Sequence, residues 1–365
     1  MAAQTAVPAM LMRGGSSKGL FFAASDLPAD EETRNRVLLA AMGSPDPRQI
    51  DGAGGAHPLT SKVGVVSLSG QEGVDLEFLF AQLQPKNDIV DTKPNCGNML
   101  AAVVPFALEK GLIQAQGDET TVRVLTLNTG MLSDITVETP GGIIHYDGNA
   151  KIDGVPGTSA PIRIRFLDTE GSVAGSLLPT GNTSDVFDIE GFGKLEATCI
   201  DNGMPMVLVR AADVKRTAYE SVEELNNDDE LKTVLEKLRL TASLKMGLGD
   251  VSAKNYPKMC LLNAPVDGGA VHTRCFIPHV CHEAVGVLAA VTIATACVMK
   301  GSVADGLAVA DRPESLSVEH PSGEFSVALE TDGSGKVNGA ALIRTARNIM
   351  RGEVMVPAHV WEGNK

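Results

Sequence analysis

Two long apolar stretches stand out in the pattern of hydrophobic and polar positions along the chain. The first covers residues 99–108, directly after Asn95-Cys96-Gly97-Asn98, and ends at Lys110-Gly111; the second covers residues 283–300 and ends at Lys300-Gly301. A basic residue followed by a glycine is a common C-terminal helix signal. Because a surface helix would show a polar face, both stretches predict buried helices.

Segments with alternating or continuous apolar residues flank each stretch, and they predict strands. The predicted strands are residues 7–12, 20–24, 63–68, 74–83, 121–127, 134–138, 143–146, 162–167, 194–200, 206–210, 258–262 and 271–277, and two polar helices are predicted at 30–42 and 220–245. Strands that recur around one apolar helix indicate a weak internal repeat. We therefore predict an α+β fold of two similar domains, each a strongly curved, mostly antiparallel sheet wrapped around one central apolar helix.

The length of 365 residues also favours two domains over a single core. Residues 171–184 are rich in Gly, Ser, Thr and Pro, which is typical of a link between domains. We predict an N-terminal domain at 1–180, a C-terminal domain at 181–365 and an active site in the cleft between them, where ligand sites tend to lie.

Composition and charge exclude several classes of protein. The net charge of −14, without a run of Lys or Arg, argues against binding to nucleic acid. The N-terminus does not resemble a signal peptide, and no apolar run reaches the roughly 20 residues of a membrane span. The six cysteines form no C-x-x-C pair. We expect a cytoplasmic protein with a small-molecule substrate and without a membrane or nucleic-acid partner.

Cys96 is the first candidate for chemistry, because it lies at the predicted start of the first buried helix. The N–H groups and the positive dipole end of a helix bind anions and lower the pKa of a neighbouring thiol. The alternative is a buried cysteine that serves as a small hydrophobic residue.

Lys62 is the second candidate, because it lies where a glycine-rich loop enters the strand at 63–68. Lysines avoid buried positions unless they are paired or used. Burial lowers the pKa of a lysine and makes its amine a competent base. The alternative is an exposed lysine at the edge of the strand.

The segment Arg13-Gly14-Gly15-Ser16-Ser17-Lys18-Gly19 resembles a phosphate loop but does not fit the Walker pattern, because Leu20 follows Gly19. Its two serines and its backbone N–H groups suit a carboxylate. A plain glycine hairpin is the alternative.

Pro278-His279-Val280-Cys281-His282-Glu283 is predicted to open the second apolar helix and brings two histidines and a thiol close together. No carboxylate cluster with ligand spacing accompanies them, so we predict no metal. Two helix N-termini that face one cleft suit a substrate with several carboxylates. Proton removal at one carbon and return at another then needs a base, an acid and anion clamps, and no cofactor.

Four ordered motifs resemble the 2-methylaconitate isomerase (PrpF-type) family over essentially the whole chain: Met12 to Gly19, Asp51-Gly52 with Gly54-Gly55, Thr60-Ser61-Lys62-Val63 and Asn95-Cys96-Gly97-Asn98. The resemblance implies the diaminopimelate-epimerase-like fold, with two similar domains. It also implies double-bond isomerisation in small di- and tricarboxylates without a metal or an organic cofactor. A homodimer is expected from the habit of the family.

The resemblance assigns roles to individual residues. It implies that Lys62 is the proton-transfer base, that Cys96 is the acid or second base, and that Ser16 and Ser17 contact the substrate. We further predict substrate contacts at the remaining candidates, which are Ser61, Asn95, Gly97, Asn98, Arg274 and His279.

One departure bears on the type of reaction. Racemases of this fold carry a second cysteine in a Gly-Cys-Gly/Ser context, which the surroundings of Cys281 lack, so a two-thiol racemase is disfavoured. The Pro-His-x-Cys-His sequence and the strand with Arg274 resemble the oxalomesaconate branch of the family. An isomerase for 2-methylaconitate or methylitaconate, and an inert protein that binds a polycarboxylate, are the alternatives.

Overall fold

The protein has a mixed α/β fold, described by a computed structural model for residues 3–93, 95–167, 169–331 and 337–363. The strands of this part of the chain are β1 (Gln4–Gly14), β2 (Ser17–Ala23), β3 (Lys62–Leu68), β4 (Leu76–Leu83), β5 (Val90–Asp91), β6 (Glu119–Thr126), β7 (Met131–Glu138), β8 (Ile162–Phe166), β9 (Asp185–Ile189), β10 (Gly193–Asp201), β11 (Pro205–Arg210), β12 (Lys258–Asn263), β13 (Val271–Phe276), β14 (Leu316–His320), β15 (Gly323–Thr331), β16 (Val337–Arg344) and β17 (Ala346–Pro357). The α-helices are α1 (Glu31–Met42), α2 (Gly97–Leu100), α3 (Val103–Lys110), α4 (Val222–Asn226), α5 (Asp229–Lys245) and α6 (Val287–Cys297).

The chain divides into two compact units. The first unit runs up to Leu167 and includes the chain again from Ile343 onward, and the second unit is formed by the residues between them. This division differs from a cut at residue 180. The C-terminal segment belongs to the first unit because β17 pairs with β1 along the whole length of β1, from Gln4 to Gly14.

The two units repeat one succession of strand pairings. In the first unit β17 pairs with β1 and β1 with β2 antiparallel, β2 with β3 parallel, β3 with β4 antiparallel, β4 with β6 parallel, and β6 with β7 and β7 with β8 antiparallel. In the second unit the chain of pairings from β9 to β16 has the same order: antiparallel twice, parallel, antiparallel, parallel and antiparallel twice. Each unit thus contains a mostly antiparallel sheet.

Helices occupy matching places in the two units. α1 connects the parallel pair β2 and β3, and α5 lies between the parallel pair β11 and β12. The first apolar helix follows β4 and the short β5, and the second follows β13. Both are buried: five of the eight residues of α3 and nine of the eleven residues of α6. α6 touches β10, β11, β14 and β15. Burial on nearly all sides explains why these two sequences lack a polar face.

Strand alternation determines which helix each side chain of β3 and β12 faces. Val63 and Val65 belong to the apolar core that includes α1, and Met259 and Leu261 to the core that includes α5. Since successive side chains point to opposite faces of a sheet, Lys62 and Lys258 lie on the faces turned away from α1 and α5.

The predicted helices are correct in kind, but three of the four differ from the prediction in extent or continuity. The first apolar helix breaks at residues 101–102, because Pro105 has no N–H for the carbonyl of Ala101 and its ring crowds that turn. It ends as predicted, with Gly111 left-handed at φ 76°. The predicted helix at 220–245 is two helices, since Asp228 caps a new start through the N–H of Leu231.

The second apolar helix starts at Val287 and ends at Cys297, so the prediction of 283–300 is too long at both ends. The residues before it are held by β13, because Cys281 forms an isolated β-bridge with Phe276 and the N–H of His282 donates to the carbonyl of Cys275 at 2.9 Å. Residues 143–146 form no strand, and the strands β5, β9 and β14 to β17 were not predicted. No helix of the described chain is long and apolar enough to cross a membrane.

Candidate active site

Lys62 is the first residue of β3, and its side chain is only 7% exposed. Its strand neighbour is Gly19 of β2, which is paired with it in parallel register. A Cβ on Gly19 would lie 2.1 Å from the carbonyl oxygen of Lys62 and 2.9 Å from Cε of Met99. Only glycine therefore fits at position 19, and the first and third sequence motifs pack directly against each other.

The side-chain nitrogen of Lys62 is held by Gln82, which lies opposite it on β4. Nζ of Lys62 donates to Oε1 of Gln82 at 2.5 Å. The Nε2 of Gln82 lies 3.1 Å from each of three carbonyl oxygens, those of Pro58, Ser61 and Leu83. These bonds set the orientation of the amide and leave its oxygen facing the lysine. The Phe80 ring lies 5.0 Å from Nζ, so one side of the amine is apolar.

The glycine hairpin of the first motif rests on the Asn95-Cys96-Gly97-Asn98 motif. A Cβ on Gly14 would lie 2.3 Å from the backbone oxygen of Asn98, and one on Gly15 would lie 2.1 Å from its Oδ1. Gly15 also has a φ of +53°, which favours glycine. The side-chain Nδ2 of Asn98 donates to Oγ of Ser16 at 3.1 Å. The segment therefore forms a glycine hairpin between β1 and β2, which is the alternative given for it from the sequence. The hydrogen bond from Asn98 connects Ser16 of this hairpin to the cysteine motif.

Ser17 has a buried hydroxyl that is available to hydrogen-bond a ligand. It is 2% exposed, and its Oγ makes no hydrogen bond within the described residues. Burying a hydroxyl without a partner costs about 1–3 kcal/mol by mutational measures. A substrate oxygen at this position would remove that cost.

Cys96 caps the N-terminus of α2, as the sequence predicts. Its backbone N–H donates to Oδ1 of Asn95 at 2.7 Å, and its carbonyl accepts from Leu100 at 2.9 Å. All six cysteines are free thiols, and Cys96 is the one among them that is not buried. The next N–H groups, of Gly97 and Asn98, are in the first turn, where helices leave donors without intrahelical acceptors.

Ser61 is placed beside Lys62, but its side chain is turned to the protein. It is fully buried, with Oγ 2.7 Å from Oε1 of Gln49 and 2.8 Å from the carbonyl oxygen of His57. Gln49 also accepts from the N–H of Ala56 at 2.8 Å. Gly54 packs on Gln49 so closely that a Cβ would lie 2.2 Å from it. The glycine-rich loop therefore folds around Gln49, and Ser61 anchors it.

Arg274 lies in the second unit on β13 and is 6% exposed. Its Nε donates to the carbonyl of Glu220 at 2.9 Å and its Nη1 to Nε2 of His272 at 2.7 Å. His272 must then accept at Nε2 and donate from Nδ1 to Glu319, 2.9 Å away. Nη2 of Arg274 makes no hydrogen bond within the described residues. Burial lowers the pKa of Arg274, and the guanidinium stays charged at neutral pH.

His279 lies in the turn after β13, and its Nδ1 is 3.5 Å from Oε2 of Glu236. The prediction that His279 and Cys281 open the second helix is wrong, because that helix starts later, at Val287. Burial raises the pKa of Cys281 to about 12, so this thiol is protonated at neutral pH. In the described part of the chain, no three or more His, Cys, Asp and Glu side chains are grouped to hold a metal ion.

Sequence reasoning missed the residues that hold the candidates in place. Leu76, Phe78 and Phe80 are buried on one face of β4, and Gln82 is the next residue on that face. A polar residue in this apolar series was the signal that the sequence offered. Gln49 gave no such signal, because it lies outside any regular element and no periodic pattern marks it. Glu319 gave none because its partners Val266 and His272 are 53 and 47 residues away in sequence.

The chain matches known proteins over nearly its entire length. It is 51% identical over 363 residues to a 4-oxalomesaconate tautomerase from Pseudomonas putida KT2440, with 99% of both chains covered. It is 54% identical over 351 residues to a (4E)-oxalomesaconate Delta-isomerase from Novosphingobium sp. KA1, with 96% of this chain and 97% of the relative covered.

A solved structure and a family model agree with these relatives. The crystal structure of a methylitaconate-delta-isomerase superposes with a TM-score of 0.86 at 34% identity, over 98% of this chain and 97% of that one. The family model described as PrpF protein matches residues 4–357. The chain therefore belongs to the PrpF family.

Proposed function

We propose that the protein is an isomerase that moves a double bond in 4-oxalomesaconate by proton transfer, without a cofactor. Two relatives that share more than half of their residues with this chain carry names for this activity. The isomerase class is also that of the solved structure. The Pro-His-x-Cys-His sequence at residues 278–282 is the local feature that favours the oxalomesaconate branch.

The observation that carries the proposal is the convergence of three motifs within the first unit. Gly19 pairs with Lys62 and packs on Met99, while Ser16 is bonded to Asn98. Elements that pack against one another therefore carry the buried amine of Lys62, the partly exposed thiol of Cys96 and the Ser17 hydroxyl, which has no hydrogen-bond partner within the described residues. A base, an acid and a donor to an anion are the parts that a proton-transfer isomerase needs.

Lys62 is the base in this mechanism. Its amine removes a proton from the carbon next to the keto group, and the electron pair of that C–H bond becomes part of a dienolate. Lys62 then returns this proton to the far carbon of the allylic system, or Cys96 gives its thiol proton there and is reprotonated from Lys62 through solvent. In both cases protons and electrons balance and the double bond has moved. The amide of Gln82 holds the amine in one position. Less entropy is then lost in orienting the amine toward the reacting carbon, which favours the reaction.

The dienolate and the carboxylates need hydrogen-bond donors. The hydroxyls of Ser16 and Ser17 and the N–H groups of Gly97 and Asn98 are the donors that the first unit offers. Ser17 is the best supported, because its buried Oγ has no partner in the described structure. Asn95 and Ser61 act here by holding Cys96 and the loop before Lys62.

Arg274 and His279 remain proposed substrate contacts. The open Nη2 and the fixed orientation of Arg274 support a role in carboxylate binding, since a guanidinium held on two sides loses little entropy when it binds. His279 has weaker support, because it is half exposed and lies near Glu236.

We also propose that the two units are the two domains of a diaminopimelate-epimerase-like fold. Their identical succession of strand pairings and the buried helix in each unit support this.

The test is turnover of purified, metal-free protein with 4-oxalomesaconate, 2-methylaconitate and methylitaconate, followed by proton NMR. We expect a kcat/KM for 4-oxalomesaconate that is at least tenfold higher than for the other two. A preference for 2-methylaconitate or methylitaconate would replace the substrate and keep the reaction class. Tight calorimetric binding of 4-oxalomesaconate with an unchanged spectrum would instead establish a binding protein and refute the proposal.

A further inference from the structure

The repeated succession of strand pairings gives Lys62 a counterpart in the second unit. Lys62 is the first residue of β3, which follows α1 and pairs in parallel with β2. Lys258 is the first residue of β12, which follows α5 and pairs in parallel with β11. Both strands then pair antiparallel with the strand that leads to the buried helix. The fold therefore places a lysine at the same point of each unit.

The two lysines also face the same way in their units. Alternation turns Lys62 away from the α1 core and Lys258 away from the α5 core. The Nζ of Lys258 lies 3.8 Å from the position that a Cβ on Gly286 would occupy, and Gly286 is the N-cap of α6. Lys258 is thus at the start of the buried helix of its unit.

The surroundings of the two amines differ in one respect. Lys62 has the oxygen of Gln82 as an acceptor, whereas Nζ of Lys258 makes no hydrogen bond and no ion pair within the described residues. The ionisable groups that act on Lys258 are the Cys275 thiol on β13 and the His282 imidazole before α6, and neither is a carboxylate. Burial lowers the pKa of Lys258. A cation here is also opposed by the positive end of the α6 dipole.

A partly buried lysine that lacks an acidic partner is stabilised by an anion that arrives with the ligand. We propose that Lys258 is a carboxylate-binding residue, the counterpart of Lys62 in the second unit. The ligand class is a small polycarboxylate, which rests on the proposed function. Binding of the carboxylate favours the charged form of the amine, so ligand binding is coupled to proton uptake at a pH where the free amine is partly deprotonated.

Proton uptake separates this role from a structural one. The probe is tricarballylate, a saturated tricarboxylate that has no double bond to move. Its binding to the intact protein is measured by calorimetry from pH 8 to pH 10, at each pH in two buffers whose ionisation enthalpies differ. The enthalpy difference between the buffers gives the number of protons taken up. The variants are Lys258→Met, Lys258→Arg and, as a matched control, Lys254→Met, which removes an exposed lysine from the same unit.

We expect wild type and Lys254→Met to bind with the same affinity and the same proton uptake. Lys258→Met should bind at least tenfold more weakly and take up fewer protons. Lys258→Arg keeps a permanent charge, so it should retain most of the affinity and lose the same part of the uptake. The arginine variant also shows whether a loss in the methionine variant reflects misfolding.

Wild-type affinity and uptake in Lys258→Met, or the absence of tricarballylate binding by wild type, would overturn the inference. Turnover of 4-oxalomesaconate by the same wild-type preparation tests the proposed function separately. A protein that binds through Lys258 but does not isomerise refutes the proposed function alone. An active protein in which Lys258→Met binds normally refutes only the role of Lys258.

Discussion

Lys62 and Gln82 lie directly opposite each other on β3 and β4, and the oxygen of the Gln82 amide accepts a 2.5 Å hydrogen bond from Nζ of Lys62. Because three backbone carbonyls hold the other end of the amide, the amine has a fixed place at the start of a buried strand. The base of the proposed mechanism is therefore positioned by a residue that does no proton chemistry of its own.

Gln82→Glu tests this relationship. A carboxylate in place of the amide oxygen would form an ion pair with Lys62 and favour the charged amine, which cannot accept a proton. We expect kcat at pH 7 to fall by at least about tenfold, the low side of what a general base contributes. Gln114→Glu, with the same change on an exposed glutamine, is the control and should leave kcat unchanged. Equal activity of the two variants would show that the side chain at position 82 does not influence the charge of the Lys62 amine.

Gly14→Ala tests the packing of the first hairpin on the cysteine motif. The added Cβ would lie 2.3 Å from the backbone oxygen of Asn98, so the backbone must shift. Overpacking of this kind destabilises by about 1–3 kcal/mol. We expect a lower free energy of unfolding in urea and a lower kcat, whereas Gly70→Ala, where a Cβ meets nothing within 4 Å, should be neutral in both. A fully stable and active Gly14→Ala would contradict the close packing.

Alkylation distinguishes the cysteines. Cys96 is partly exposed, while Cys281 is buried and its pKa is raised to about 12. Because the thiolate is the reacting form, iodoacetamide at pH 7.5 should modify Cys96 first, and tricarballylate should slow that reaction. Peptide mass mapping over a time course measures both rates. Earlier modification of Cys281 would revive a mechanism with two thiols.

The lowered pKa of Glu319 predicts that the free energy of unfolding depends on pH. Burial by itself would raise the pKa of this carboxylate, but the N–H groups of Val266, Asp267 and Gly269 and the imidazole of His272 outweigh burial and leave the pKa lowered. A lowered pKa contributes stability that is present above the usual glutamate value of about 4.5 and is lost as the pH falls through the folded-state value.

Glu319→Gln should remove this contribution. We expect the variant to unfold at a lower urea concentration than wild type at pH 7, and the gap between them to narrow as the pH is lowered from 4.5 towards 3. A gap that is constant over this range would mean that the carboxylate charge does not matter, and that the variant is destabilised by packing alone.

The sequence predicted the elements that carry their own local signals. The two ends of the first buried helix were predicted from Cys96 before the apolar run and Gly111 after it. This was possible because the residues that cap a helix are its immediate neighbours in the sequence. Lys62 was located at the start of its strand for the same reason.

What the sequence did not predict depends on contacts between distant residues. The start of the second helix at Val287 follows from the pairing of Cys281 with Phe276, which competes with helix formation and has no local signature. The place of β17 in the first unit rests on its pairing with β1, at the other end of the chain. Gln82 and Gln49 act through partners that only the folded chain brings to them.

The role of Lys62 is tested by comparing wild type and Lys62→Ala, with 4-oxalomesaconate in D2O followed by proton NMR. We expect wild type to move the double bond and introduce deuterium at one carbon, and Lys62→Ala to do so at least about 10²-fold more slowly with its fold intact by circular dichroism. Near-normal turnover by Lys62→Ala would show that the buried amine of β3 does not transfer the proton.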